Sequence, residues 1–268
     1  MPKKINAGQR RLFLAGAVLL ALGAAPLRAV SAEIPTIAAA ADLNAALPEV
    51  AALFTKQNGK SVSLIFGSSG AFTQQILNGA PFEVFLSADE SYVEKLDTAG
   101  KTDGPGELYA TGRIGLFLPK GSTIAASGDL RGLAVAVRDG KLIKFAIANP
   151  DHAPYGRAAK EALTKAGIWD AIQPRLVLGE NVAQATQFAT SGSTEGGIIP
   201  LSLALTPKVK AAGSFWLIPA DMHGPLRQRA VVLKGAGATA RAFFAFLQTG
   251  PARGILKRYG FVLPNEKG

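Results

Sequence analysis

Short apolar runs with strand character alternate with helical patterns along almost the whole chain after residue 32. The first run, residues 34–41, is an expected strand. The apolar residues of the next segment, residues 43–57, lie on one stripe of an expected helix. Two further strand-then-helix units follow before residue 100. Strands that alternate with helices in this way are typical of a largely parallel sheet. The alternation therefore predicts an α/β protein.

The second half of the chain continues the same alternation, and two of its strands could join two lobes. Residues 113–119 and 229–233 are similar in composition and lie where the chain could cross between lobes and return. We therefore expect residues 33–112 and 229–268 to form lobe 1, and residues 113–228 to form lobe 2. The other expected strands are 61–66, 82–86, 133–137, 145–148, 175–178, 197–201 and 215–219, and the other expected helices are 72–77, 92–99, 157–166, 182–190, 239–248 and 251–259.

The first 32 residues have the pattern of an export signal. Basic residues come first, an apolar run over residues 12–26 follows, and small residues lead to Ala32. This run is shorter than the ~20 apolar residues that a membrane span needs. We expect cleavage after Ala32 and a periplasmic mature protein. The residues fit both a twin-arginine signal and a general secretory signal.

The charge of the chain gives no sign of a nucleic-acid partner. The formal net charge is +10, but five basic and no acidic residues lie in residues 1–32, which leaves +5 for the remainder. Lys and Arg are scattered, usually next to acids, whereas nucleic-acid binding favours a basic stripe with interleaved aromatic residues. The chain has no Cys, so it can form neither a disulfide nor a lipid-anchored cysteine.

The sequence FGSSG, residues 66–70, lies between an expected strand and the first turn of a helix. Glycine permits a tight turn, Ser68 and Ser69 offer hydroxyl groups, and the first amides of a helix favour an anion. The lysine and the longer spacing of a P-loop are absent. From the pattern alone, Ser69 fits a helix N-cap and an anion contact equally well.

Three other loops also lead into expected helices. Asp42 and Leu43 follow the first strand, and a plain N-cap is the favoured interpretation of Asp42. Residues 149–156 carry Tyr155 on a backbone stiffened by prolines, together with His152, which we expect to be a surface residue. Residues 179–185 place Val182 at a helix start. If two lobes face each other, these helix N-termini would converge on one cleft.

The sequence offers no arrangement for catalysis. It has no GxSxG nucleophile elbow and no HExxH or other close histidine cluster for zinc. The acidic pair Asp89 and Glu90 consists of neighbours that face different ways at a helix start. We therefore expect a binding protein rather than an enzyme, with no cofactor and no free metal ion.

At these loops the chain resembles the periplasmic molybdate-binding proteins of ABC transporters. The resemblance rests on four segments in this order and spacing: AAAADLNAALPEVAALF, FGSSGAFTQQILNGAPFEVFLSAD, AIANPDHAPYGRAAKEAL and ILKRYGF. It implies a two-lobed periplasmic binding protein, type II-like, in which each lobe is a mixed sheet flanked by helices, with a hinge between the lobes.

The resemblance also implies which residues hold the oxyanion. Ser69 matches a serine donor, and Tyr155 and Val182 match backbone donors. The chain departs from the common pattern at Asp42, where many members have serine, and at Pro200, where some have a ligand tyrosine. Either the amides next to Asp42 hold the anion there, or the anion carries a proton that Asp42 accepts. The expected ligand residues are Ser69, Tyr155, Val182, Asp42, Ser68 and Leu43.

The resemblance implies that the protein binds molybdate or tungstate and delivers it, as a monomer, to an ABC transporter permease in the inner membrane. Three alternatives stay open. The ligand could be another oxyanion such as phosphate or sulfate, or a small organic acid. The same scaffold could serve an exported hydrolase or isomerase, because a fold does not fix a function. The lobes could also mainly bind another protein.

Overall fold

The computed structural model describes Met1, residues 34–125, residues 127–264 and Glu266. Apart from Met1, the expected export signal over residues 1–32 and its cleavage after Ala32 lie outside this part of the chain. The described residues from Ile34 onward form one compact unit. None of the described helices is both long enough and apolar enough to span a bilayer.

Strands and helices alternate along the described chain, with short 3-10 turns at Ala41–Leu43, Gln173–Arg175 and Ala220–Met222. The strands are β1 Thr36–Ala40, β2 Ser63–Gly67, β3 Val84–Ser87, β4 Glu107–Gly112, β5 Ile114–Pro119, β6 Phe145–Ala148, β7 Leu176–Gly179, β8 Gly197–Pro200, β9 Gly213–Leu217 and β10 Leu226–Val232. The helices are α1 Ala46–Asn58, α2 Ser69–Leu77, α3 Glu90–Thr98, α4 Arg131–Arg138, α5 Pro154–Lys165, α6 Trp169–Ile172, α7 Val182–Thr190, α8 Leu201–Ala204, α9 Pro207–Ala212, α10 Ala238–Phe246 and α11 Gly250–Arg258.

The strands form two five-stranded sheets with the same plan. The first sheet has the order β2-β1-β3-β10-β4, and the second has the order β7-β6-β8-β5-β9. In each sheet three strands run parallel, and a fourth strand, β10 or β5, runs antiparallel between its two neighbours. The protein is therefore two-lobed, with a mixed sheet in each lobe, as the family resemblance implies.

Helices cover both faces of each sheet and bury its apolar residues. On the first sheet, α1, α10 and α11 enclose one core, in which the rings of Phe54 and Phe243 lie 5.3 Å apart, edge to face. Helices α2 and α3 cover the opposite face around Phe85. On the second sheet, α4 and α5 pack around Phe145, whereas α7, α8 and α9 pack around Ile199. Buried apolar area of this kind is the main source of stability.

The chain passes between the sheets twice. Only Arg113 separates β4 of the first sheet from β5 of the second. The return passage precedes Leu226, where β10 begins and pairs with Gly112 of β4. The two passages therefore lie next to each other.

One expected strand is a helix. Residues 133–137 are apolar throughout, which favoured a buried strand, but they lie within α4. Leu133, Ala136 and Val137 are buried on one side of that helix, whereas Val135 is 43% exposed. A short apolar run fits both a buried strand and a helix segment, and here packing against the second sheet favours the helix.

Candidate functional site

A small cavity lies where the two sheets face each other. The loops around it follow the carboxyl ends of β1, β2 and β3 in the first sheet and of β6 and β7 in the second. Open α/β sheets bind ligands beyond these strand ends. The cavity is lined by Ala40, Ala41, Asp42, Gly67, Ser68, Ser69, Ala88, Ala153, Pro154, Tyr155, Asn181 and Val182.

The size and lining of the cavity suit one small anion. The space not filled by atoms, counted together with its opening to solvent, is about 190 Å³. No lysine or arginine is among the lining residues. Any negative ligand here would therefore be held by hydrogen-bond donors and helix dipoles rather than by positively charged side chains.

The two serines of the FGSSG loop have different roles. Ser68, not Ser69, is the N-cap of α2, and its Oγ accepts a hydrogen bond from the amide of Ala71 at 3.3 Å. Ser69 is the first residue of the helix and is fully buried. Its Oγ accepts a hydrogen bond from the amide of Ala88 at 3.0 Å. The Ser69 hydroxyl hydrogen therefore remains free to be donated to a ligand in the cavity.

Two more helices begin at the cavity. Tyr155 is the second residue of α5, after Pro154, and Val182 is the first residue of α7. The amides of these first-turn positions have no partner within their own helix. Asn181 caps α7, since its Oδ1 accepts hydrogen bonds from the second and third amides of that helix at 3.0 and 3.1 Å. The first amide, that of Val182, is left available.

Asp42 does not cap a helix, contrary to the sequence-based interpretation. It lies inside a 3-10 turn whose N-cap is Ala40, and α1 begins four residues later at Ala46. Its carboxylate is fully buried, and Oδ2 accepts hydrogen bonds from the Tyr155 hydroxyl at 2.9 Å and from the Gln228 amide at 2.7 Å. Oδ1 has no hydrogen-bond partner among the described residues.

A buried polar network surrounds this carboxylate. The Gln228 amide also donates to the Tyr155 hydroxyl at 3.0 Å, and its Oε1 accepts from the Tyr109 hydroxyl at 2.7 Å. Ser202 of α8 donates to the backbone oxygen of Asp42 at 2.7 Å. The network therefore connects β4, β10 and the turn after β1 in lobe 1 with α5 and α8 in lobe 2.

Burial controls the protonation of the network. Desolvation raises the pKa of Asp42 from 3.8 to about 6, although hydrogen bonds from Gln228 and Tyr155 partly oppose the shift. The same cause, reinforced by the nearby Asp42 carboxylate, holds the pKa of Tyr155 and of Tyr109 well above 10. Both tyrosines are therefore neutral hydrogen-bond donors at neutral pH.

Two residues considered from the sequence lie away from the cavity lining. The Leu43 side chain is buried in the core of lobe 1, and the amide of Leu43 lies near the Asp42 carboxyl group. Pro200 ends β8, pairs with Ile114 and is the N-cap of α8. Pro200 therefore occupies a structural position at a strand end.

Sequence reasoning missed Gln228 and Tyr109 and placed His152 on the surface. Gln228 alternates with Arg227 and Arg229 along β10, so the period of two places it on the opposite, buried face. That alternation was a usable signal. His152 is 28% exposed, and its Nδ1 lies 3.0 Å from Oγ of Ser68. No local pattern indicates that contact.

Direct contacts between the lobes surround the cavity. The amide of Gly70 in lobe 1 donates to the backbone oxygen of His152 in lobe 2 at 3.0 Å. Arg157 of α5 forms a salt bridge with Asp89, which caps α3. With the Tyr155–Asp42 bond, these contacts show that the lobes are closed on each other.

The comparisons with known proteins agree with this architecture. A family model described as "Bacterial extracellular solute-binding protein" matches residues 35–262. The chain is 38% identical over 264 residues to "Molybdate-binding protein ModA" of Rhodobacter capsulatus, covering 97% of this chain and 98% of that protein. It is 37% identical to the protein of the same name from Azotobacter vinelandii, covering 94% of this chain and 99% of that protein.

A solved structure shows the same arrangement. The Azotobacter vinelandii periplasmic molybdate-binding protein matches with a TM-score of 0.77 and 32% identity, covering 86% of this chain and 99% of that chain. The chain therefore belongs to the bacterial extracellular solute-binding protein family and, within it, to the molybdate-binding ModA proteins.

Proposed function

We propose that this protein binds molybdate or tungstate in the cavity between its lobes and delivers the anion to an ABC transporter permease. The observation that carries the proposal is the meeting of three helix N-termini, at Ser69, Tyr155 and Val182, around a small cavity without positively charged side chains. The names of the relatives at 37–38% identity support molybdate as the anion.

In the proposed complex the anion oxygens accept hydrogen bonds from neutral groups. Ser69 donates through its hydroxyl group, and Tyr155 and Val182 donate through their amides. Ser68 contributes mainly by capping α2 and holding the loop in place. Hydrogen bonds to an ion contribute roughly 1.5–3 kcal/mol each, so several of them can exceed the cost of association and reach micromolar binding or better.

We propose that the lobes open about the two adjacent passages between the sheets. The boundaries expected from the sequence give residues 33–112 with 229–268 as one lobe and residues 113–228 as the other. The first boundary coincides with the passage at Arg113, and the second lies within β10, three residues after the return passage before Leu226. The closed form would trap the anion, and the permease would engage that form. Binding and release would involve no chemical step on the ligand. We also propose that the mature protein acts in the periplasm as a monomer after cleavage at Ala32.

The test is a thermal-shift screen followed by calorimetric titration. A ligand that binds only the folded protein raises its melting temperature by mass action. We expect molybdate and tungstate to raise the melting temperature at concentrations where phosphate, sulfate and small organic acids have little effect. A shift with phosphate and none with molybdate would contradict the proposed ligand and favour the phosphate alternative.

A further inference from the structure

The carboxylate of Asp42 is the one acidic group among the residues that line the cavity. It is fully buried, and only one of its two oxygens is used: Oδ2 accepts two hydrogen bonds, whereas Oδ1 has no partner among the described residues. The amides of Asp42 and Leu43 lie near the carboxyl group, but neither makes a well-aligned hydrogen bond to Oδ1. Oδ1 is thus left with an unmet hydrogen-bonding requirement next to the anion site.

Among the described residues, no positively charged side chain forms a hydrogen bond or a salt bridge with Asp42. The groups that touch its side chain are the Tyr155 hydroxyl and the Gln228 amide, both neutral. The other titratable group in the network is the Tyr109 phenol, and the raised pKa of both tyrosines keeps them protonated. The sequences of α2, α7, α8 and β2 contain no ionisable residue. Arg227 and Arg229, the charged neighbours on β10, form salt bridges with Glu90 instead.

An oxyanion in this cavity would bring negative oxygens next to a buried carboxylate. Two like charges in a site of low dielectric cannot both persist, and a shared proton relieves the repulsion, as it does for pairs of carboxyl groups. A carboxyl group that carries a proton is also a hydrogen-bond donor. It would then match the neutral donors that the rest of the cavity presents.

Building on the function proposed above, we infer that anion binding is coupled to the uptake of one proton, which is shared between Oδ1 of Asp42 and an oxygen of the bound oxyanion. The proton comes from solvent, and no other bond is made or broken. Asp42 thereby contributes a hydrogen-bond donor to the cavity only when it carries this proton, whereas the other donors of the cavity are permanent.

The sign of the pH dependence follows from linkage. The free protein has a raised pKa of about 6 at Asp42, and a bound anion raises the pKa further. Below about pH 6 the carboxyl group already carries its proton, so affinity is flat with pH. Above that value each bound anion takes up about one proton, and affinity falls about tenfold for each pH unit.

Calorimetry of the purified protein with sodium molybdate measures the proton directly. Titrations at about pH 8 are run in two buffers of different ionisation enthalpy. If one proton is taken up per bound anion, the two binding enthalpies should differ by about the difference between the ionisation enthalpies of the buffers. The dissociation constant should also rise about tenfold between about pH 7 and pH 8. Sodium tungstate serves as a second probe.

Variants at Asp42 and at His152 show which side chain takes up the proton. Asp42→Asn offers a permanent N–H in place of the shared proton and should bind with no proton uptake and little pH dependence. The His152 imidazole lies beside the cavity, with Nδ1 3.0 Å from Oγ of Ser68, so His152→Gln is the matched control and should retain the uptake. Asp42→Ser restores the hydroxyl donor common among the relatives and serves if the Asn variant does not fold.

Binding by the unaltered protein without proton uptake, or uptake that persists in both Asp42 variants, would overturn this inference and leave the proposed function intact. Loss of the uptake in His152→Gln would also overturn it, because the proton would then belong to the imidazole. Absence of molybdate and tungstate binding at every pH would instead overturn the proposed function, and the inference with it.

Discussion

The hydroxyl group of Tyr155 donates a hydrogen bond to Oδ2 of Asp42 at 2.9 Å, across the boundary between the two lobes. The sequence placed both residues at the ligand but gave no reason for them to touch each other. Because the phenol is bonded to Asp42, Tyr155 can reach an anion only through its backbone amide. The bond also links closure of the lobes to the acidic residue of the cavity.

Removal of the Ser69 hydroxyl should weaken molybdate binding. Ser69→Ala is expected to raise the dissociation constant about tenfold or more, since a hydrogen bond to an ion contributes roughly 1.5–3 kcal/mol. The control is Ser63→Ala, which changes an exposed serine at the far end of β2. Calorimetric titration measures both variants. Equal affinities for Ser69→Ala and the unaltered protein would remove Ser69 from the site.

A methyl group at Gly70 should obstruct closure. An added Cβ there would lie 2.6 Å from the backbone oxygen of His152 in the opposite lobe. Overpacking of this kind costs about 1–3 kcal/mol, which corresponds to roughly 5- to 150-fold in affinity. Gly70→Ala should therefore bind molybdate more weakly, which calorimetric titration measures.

The control for this change is Gly254→Ala in α11, where an added Cβ meets no atom within 4 Å. Alanine is the better helix former, so this variant should bind normally and melt at the same or a higher temperature. If Gly70→Ala binds as tightly as Gly254→Ala, the close approach of the loops around Gly70 and His152 does not limit binding.

The salt bridge between Arg157 and Asp89 should favour the closed form modestly. The Arg157 side chain is 42% exposed, although Asp89 is mostly buried, and ion pairs that solvent can reach contribute roughly 0.2–1 kcal/mol. Arg157→Gln is therefore expected to weaken binding by up to about fivefold, mainly at low salt. Arg138→Gln, which removes an exposed pair with Asp139 in the same lobe, is the control. An identical response of the two variants would argue against a role in closure.

Asp42 should lower the stability of the ligand-free protein at neutral pH. Its folded-state pKa of about 6 exceeds the ordinary value of 3.8, so between these values the folded state binds more protons than the unfolded state. Stability attributable to Asp42 is therefore present at low pH and is lost as pH rises from about 4 to 6, by on the order of 3 kcal/mol.

The variant Asp42→Asn should be free of this loss. Its side-chain oxygen can still accept from Tyr155 and Gln228, so we expect it to be more stable than the unaltered protein at about pH 7 and similar to it at about pH 4. Urea unfolding at both pH values measures the difference. A variant that is less stable than the unaltered protein at neutral pH would show that the ionised carboxylate stabilises the fold.

Local chemistry in the sequence determined most of the secondary structure. The helix of residues 182–190 was predicted with its observed bounds, because Asn181 caps it and no glycine or proline interrupts it. The strands β2, β6 and β7 were located within a few residues. The serines before α2 and the start of α7 were recognised because helix N-termini after strands have a clear local pattern. Tyr155 was expected in a loop before a helix at residues 157–166 and was named as a donor only by the family resemblance, whereas α5 begins at Pro154.

Tertiary structure decided what local patterns leave ambiguous. Packing against the second sheet made α4 a helix although its apolar run also fitted a strand. The partner of Asp42 in β10, Gln228, is 186 residues away in the sequence. That contact exists only once the first sheet has folded, and the Tyr155–Asp42 bond exists only when the two sheets are closed on each other, so no local pattern encodes either contact. The sequence, through its local patterns and its family resemblance, thus indicated the expected donors at the helix starts. The burial of Asp42, its hydrogen bond to Gln228 and its hydrogen bond to Tyr155 of the opposite lobe required the folded protein.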